Sequence, residues 1–226
     1  MSHRLRVRWP DPSLFAARDG APFRILAVSD EEARSLENAA SRAAMGPIDL
    51  VIGAGDLEPP YLSFVADAFG APLRFVRGNH DTGTAWLVNE RGMLPEPLLD
   101  GRPVTEQGVI ILGFSGSPQY AEEDGVQVSG WAMWWRVLSA RLRVGMRRPI
   151  LVFTHAAPRG LGDASDHAHR GFAAFRWLVD RLTPPLWLHG HTALVRRGLD
   201  SRSVMHGETL LYNCTGATVI ELVPAE

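Results

Sequence analysis

Leu73-Arg-Phe-Val-Arg-Gly-Asn-His-Asp81 closes a strand-like run with an amide, an imidazole and a carboxylate in three consecutive positions. Its first three residues alternate apolar, basic and apolar side chains, the pattern of a strand with one buried face. Its last three are costly to bury unless each finds a partner. Such an ending is either a local polar turn or one wall of a site shared with other strand ends. The rest of the chain has to decide between the two.

Other apolar runs end the same way. Phe23–Val28 runs into Ser29-Asp30, Ile48–Ile52 into Gly53-Ala-Gly-Asp56, and Val109–Leu112 into a Gly/Ser turn. Ile150–Phe153 runs into Thr154-His155, and Leu186–Leu188 into His189-Gly-His191. Between them lie helical patterns over Glu31–Met45, Pro59–Phe69, Ser129–Met146 and Arg170–Leu182. Alternating strands and helices predict an α/β layered fold with largely parallel central pairings. Leu210–Asn213 and Thr218–Leu222 read as a final antiparallel pair, and Leu5–Trp9 alternates like an edge strand.

Ligands of such sheets collect at the carboxyl ends of the strands. Here those ends carry Asp30, Asp56, Asn79 with His80, His155 and His191, and the polar ending after Val76 becomes one wall of a common site. Oxygen and imidazole donors without thiolates suit Mn, Mg, Fe or Zn. A carboxylate shared by two ions, with neutral histidines, is a recurring recipe for two-metal hydrolysis.

The chain has 226 residues, 46% hydrophobic and 21% charged, with a net charge of −2. That predicts one domain over 1–226, with 1–22 as an N-terminal extension of unassigned role. The charge balance argues against nucleic acid as a partner. One cysteine, Cys214, excludes an internal disulfide framework and reads as a small buried residue. No secretory leader and no run of about 18 apolar residues is visible, so a soluble cytoplasmic protein without a membrane partner is expected.

Asp30, Gly55-Asp56, Gly78-Asn79-His80-Asp81, His155 and Gly190-His191 resemble, in order, the motifs of calcineurin-like metallophosphoesterases, in a bacterial branch whose first motif begins Ser-Asp-Glu. The resemblance implies a four-layer α/β/β/α sandwich of two mixed sheets flanked by helices. It implies that Asp56 bridges two divalent ions, that Asn79, His155 and His191 complete one site, and that Asp30 serves the other. It further implies that a metal-activated hydroxide attacks phosphorus while His80, oriented by Asp81, assists the leaving group. The expected substrate is a phosphomonoester or phosphodiester, with small phosphorylated molecules or nucleotides favoured.

Two departures stand out. The family's Asp-any-His is here Asp30-Glu31-Glu32, and its Gly-His-any-His is here Gly190-His191-Thr192-Ala193. Both missing histidines serve the ion held by Asp30, so that ion is expected to bind weakly or to prefer Mn or Mg over Zn. The alternative reading is a weakly active or non-catalytic metal-binding scaffold. Glu32 and His189 are the candidates to supplement the site, His189 more readily beside the ligands than among them. His206 reads as a surface residue. In the polar loop after His155, Arg159, His169 and Arg170 are candidates to grip phosphate. Taken singly, Asp30 and Asp56 also read as helix N-caps. Trp131, Trp134 and Trp135 are too many for one buried face; one or two are expected in the core, the others at a homodimer contact or a substrate platform.

Overall fold

The computed structural model describes residues 3–84, 86, 101–120, 125–145, 149–192 and 202–225. In chain order they form β1 (His3–Trp9), α1 (Ser13–Ala16), β2 (Phe23–Ser29), a 3-10 turn (Arg34–Leu36), α2 (Ala39–Met45), β3 (Leu50–Gly53), α3 (Pro59–Phe69) and β4 (Leu73–Phe75). There follow β5 (Val104–Glu106), β6 (Val109–Phe114), β7 (Ser117–Pro118), β8 (Gln127–Val128), α4 (Gly130–Val144), β9 (Ile150–Thr154) and α5 (Ala173–Leu182). The chain finishes with β10 (Leu186–His189), β11 (Ser203–His206), β12 (Thr209–Asn213) and β13 (Gly216–Pro224).

Two large mixed sheets carry the fold, in the orders β1-β13-β2-β3-β4 and β11-β12-β10-β9-β6-β5. The two-residue period of each strand divides its apolar side chains between layers. Ile25, Ala27, Leu50 and Ile52 of one sheet meet Leu151, Phe153, Leu186 and Leu188 of the other in a common core. The alternate residues Leu26, Val28 and Val51 turn outward onto α3, through Leu62 and Val65. Ile150, Val152 and Trp187 turn outward onto α4 and α5, through Val137 and Leu178. Three apolar layers between four structural layers are the physical content of the α/β/β/α sandwich. No helix among the described residues is long and apolar enough to cross a membrane.

The sequence expectations need three corrections. The last two strands are not an antiparallel pair. β12 lies parallel to β10 in one sheet, and β13 lies between β1 and β2 in the other. The helix expected over Glu31–Met45 is a 3-10 turn and a separate α2, which Asn38 caps by accepting from Ser41 N–H at 3.1 Å. His206 lies on β11, not in a loop. α4 meets the core through Met133, Val137, Ala140 and Val144; of its three tryptophans Trp134 packs against that core, partly buried, and Trp131 and Trp135 are exposed, the division expected from their number. β1 takes the edge position its alternation predicts, parallel to β13.

Candidate metal centre

Parallel pairing within each sheet brings the carboxyl ends of β2, β3 and β4 to one border and those of β9 and β10 to the facing border. Hydrogen bonds then join the two. His155 Nδ1 lies 2.9 Å from the Ala54 carbonyl, and the His191 backbone N–H donates to Asp30 at 2.9 Å. Three of the six non-glycine residues at positive φ among the described residues are Asp30 (60°), Asp56 (56°) and His191 (63°). Left-handed backbone is uncommon outside glycine and gathers where a site holds it.

Ligand atoms of Asp56, His155 and His191 lie within 4.8 Å of one another, all on buried or half-buried side chains. Donors around one ion of this size stand about 3–4 Å apart, so the three need only a small adjustment. Asn79 Oδ1 sits 2.8 Å from His155 Nε2, and Asn79 Nδ2 donates to the Tyr120 hydroxyl at 3.0 Å. The backbone carbonyls of Ala54 and Ala168 accept from His155 Nδ1 and, at 2.9 Å, from His191 Nε2. Each carbonyl fixes which ring nitrogen is left for an ion. Two imidazoles, one carboxylate and one amide oxygen fit a divalent cation of intermediate hardness.

The charges of the metal-free centre follow from this packing. Complete burial works against a charged His155, but the Asp56 carboxylate 3.4 Å from Nε2 outweighs it and holds the ring up to about 9. Burial raises Asp56, yet its contacts with His155 and with the His80 N–H bring it below the ordinary range. Burial, and then the charge of His155, push His191 down to about 3. Of the three side chains Asp56, His155 and His191, only His155 therefore carries a proton at pH 7. We expect release of about one proton per ion at pH 7, with affinity rising roughly tenfold per pH unit toward pH 9 and flat above. Calorimetry in buffers of different ionisation enthalpy measures it. Chelated protein should behave oppositely: the stability His155 contributes is complete below about pH 6.5 and is lost as pH rises through about 9.

Asp30 does not cap a helix. Its carboxylate accepts from Ser29 Oγ at 2.6 Å, Thr215 Oγ1 at 3.2 Å and the His191 N–H. Burial raises its pKa in spite of these donors. Beside it, Glu32, Asp56, Leu57, Glu58, His80 and Asp81 line a pocket of about 150 Å³ with Asp30. Glu32 thus stands at the same hollow as Asp30 and Asp56. Position 193, the other departure, lies outside the described residues.

Asp81 corrects the reading of its neighbour. It does not orient His80. Its carboxylate accepts the backbone N–H groups of Gly78, Asp56 and Leu57, at 2.6, 3.0 and 3.1 Å, and so fastens the β4 turn to the β3 turn. Burial pushes it up to about 6, against the pull of the Gly78 N–H. His80 is exposed at the pocket rim, held through its backbone N–H to Asp56 Oδ1 at 2.8 Å.

The loop after His155 is closed by Asp163, which accepts from Gly160 N–H and Gly171 N–H at 2.8 and 2.9 Å. It lays His169 against His191, ring centres 5.1 Å apart, with His169 Nδ1 2.6 Å from Asp166. Arg159 and Arg170 are exposed, and Arg159 Nε donates to the Gly171 carbonyl at 3.1 Å. His189 is buried outside the three-residue cluster, its Nδ1 3.1 Å from the Gly190 carbonyl and its Nε2 so near the Gly162 Cα that an added Cβ would sit 2.6 Å away. His206 pairs with Asp180 at 2.6 Å on the surface. Cys214 is fully buried, and burial raises its thiol pKa, so it offers no thiolate. Tyr120, Thr215 and the Ala54 and Ala168 carbonyls were not legible: each acts through tertiary placement, with no motif around it.

A family model described as calcineurin-like phosphoesterase matches residues 23–194. No curated protein matches the chain. Among solved structures, TT1561 of Thermus thermophilus superposes with a TM-score of 0.61 at 16% identity, covering 86% of this chain and 90% of that one. GAP50, titled the anchor in the inner membrane complex of Plasmodium, superposes with a TM-score of 0.50 at 15% identity, covering 86% and 72%. At such identities the likeness is one of fold.

Proposed function

The chain belongs to the calcineurin-like phosphoesterase family, and on that premise we propose that it hydrolyses a phosphomonoester or phosphodiester with the help of bound divalent ions. The observation that carries this reading is the convergence of Asp56, His155 and His191 within 4.8 Å, with Asn79 on His155. These four would hold one ion. Asp30, Glu32 and the shared Asp56 would hold a second, more weakly. When bound, the ions supply positive charge to the phosphoryl oxygens and lower the pKa of water.

The remaining steps fall to the chain's own residues. His80 stands exposed at the pocket rim, anchored one bond from the Asp56 carboxylate. From there it protonates the departing oxygen, or stabilises the charge growing on it. Arg159 and Arg170 reach solvent from the loop that packs on His191, and in this reading they grip the non-reacting phosphate oxygens. The pocket is small and open, which favours compact phosphorylated molecules or nucleotides.

A second reading rests on Asp30. Protein donors already engage both of its oxygens. With Glu32 in place of histidine, a second ion has little to hold it, and the fold would serve as a metal-binding scaffold. The test is hydrolysis of chromogenic monoester and diester substrates by chelated protein reloaded with Mn, Mg, Fe or Zn. Metal-restored turnover is expected, and His80→Ala should lower kcat by roughly 10²–10⁴ with metal content unchanged. Stoichiometric metal with no turnover under any ion would leave the scaffold reading standing instead.

A further inference from the structure

α4 presents two apolar faces where one core exists. Met133, Val137, Ala140 and Val144 are buried against the sheet. On the opposite side Trp131, Trp135, Leu138 and Leu142 are 71%, 57%, 39% and 82% exposed. Their spacing of four, three and four residues is the apolar seam of a helix pair. Single exposed hydrophobic residues are ordinary, but four on one stripe mark a contact surface.

We propose that this face binds the same face of a second copy of the chain, with the two α4 helices antiparallel about a two-fold axis. Side-chain size along the seam favours that partner. The indoles occupy its N-terminal half and the leucines its C-terminal half. Antiparallel pairing sets Trp131 opposite Leu142 of the second copy and Trp135 opposite Leu138, each large ring against a smaller side chain. Parallel pairing would set ring on ring and leave the leucines apart.

The flanks agree. Ala132 and Ser139 border one side of the seam and are small enough for close approach. Trp134 and Arg141 border the other, each held within its own chain: Trp134 packs edge-on against Trp177, ring centres 5.8 Å apart, and Arg141 donates to the Gly145 carbonyl at 3.1 Å. α4 contains Arg136, Arg141 and Arg143 and no carboxylate. None of the three arginines stands on the seam itself, so its contact is apolar. The seam offers roughly 500 Å² per copy, below the ~800 Å² of a standard interface, so the dimer is a weak, concentration-dependent one.

Sedimentation velocity on the full chain from ~1 to ~100 μM tests this. Wild type should shift from monomer to dimer across the range. Trp135→Glu with Leu138→Glu should stay monomeric throughout, association weakened at least ~10-fold, with unchanged circular dichroism and Tm because both residues face solvent. Ala132→Cys with Ser139→Cys should cross-link on oxidation, whereas neither single variant should, since only the antiparallel register joins 132 to 139. Monomer at every concentration, or a dimer that survives the double glutamate variant, would overturn the proposal. So would monomeric wild type that floats with phosphatidylserine vesicles through the same tryptophans, which would make the face a lipid contact.

Discussion

Asp56→Asn should leave the chain folded, lower metal retention at least ~10²-fold and reduce phosphoester turnover by ~10³ or more. Asparagine tolerates the left-handed backbone at this position, where φ is 56°. It can also still accept the His80 N–H that Asp56 Oδ1 accepts at 2.8 Å. What it cannot do is supply negative charge. Asp56 is the carboxylate of the ligand cluster and the counter-charge that keeps His155 protonated without metal. Its loss removes the negative charge that would attract an ion to the cluster. Metal content after desalting, with kcat/KM on reloaded protein, gives the answer. Retention and turnover within about tenfold of wild type would mean that the centre does not rest on this residue.

Gly78→Ala is the second large effect, and it acts on the fold first. A Cβ there would overlap the Asp56 carboxylate and lie 2.5 Å from the Asp56 backbone nitrogen. Backbone cannot step aside cheaply, because the Gly78 N–H is already fixed to Asp81 Oδ2 at 2.6 Å. We expect a loss of ~3 kcal/mol or more, a Tm lower by roughly 6–12 °C, and a centre that no longer retains metal. Gly130→Ala is the internal control. It lies in the first turn of α4 with nothing within 4 Å of its Cβ position, so it should be neutral or slightly stabilising. Equal urea midpoints for the two variants would contradict the close approach of the β3 and β4 turns.

The strand ends were legible because their chemistry is local. A polar cluster after an apolar run is visible in sequence, and the α/β alternation says that such ends converge. Which neighbour a strand chooses is not local. Nothing in Leu210–Asn213 or Thr218–Leu222 says that the chain crosses from one sheet to the other between them. The role of Asp81 was hidden for a similar reason: the turn's backbone aims its carboxylate at three amides and away from His80. In α4 the sequence shows more tryptophans than one buried face can hold, but not which of them turn inward. The structure buries the stripe of Met133, Val137, Ala140 and Val144, packs Trp134 at its edge and leaves Trp131 and Trp135 outside.

The most direct test of the account is anomalous diffraction from crystals of the protein soaked in Mn. The expected result is a peak about 2.0–2.3 Å from Asp56, His155 and His191, with any second peak weaker and beside Asp30 and Glu32. No peak at this cluster, with Mn bound elsewhere or not at all, would contradict it.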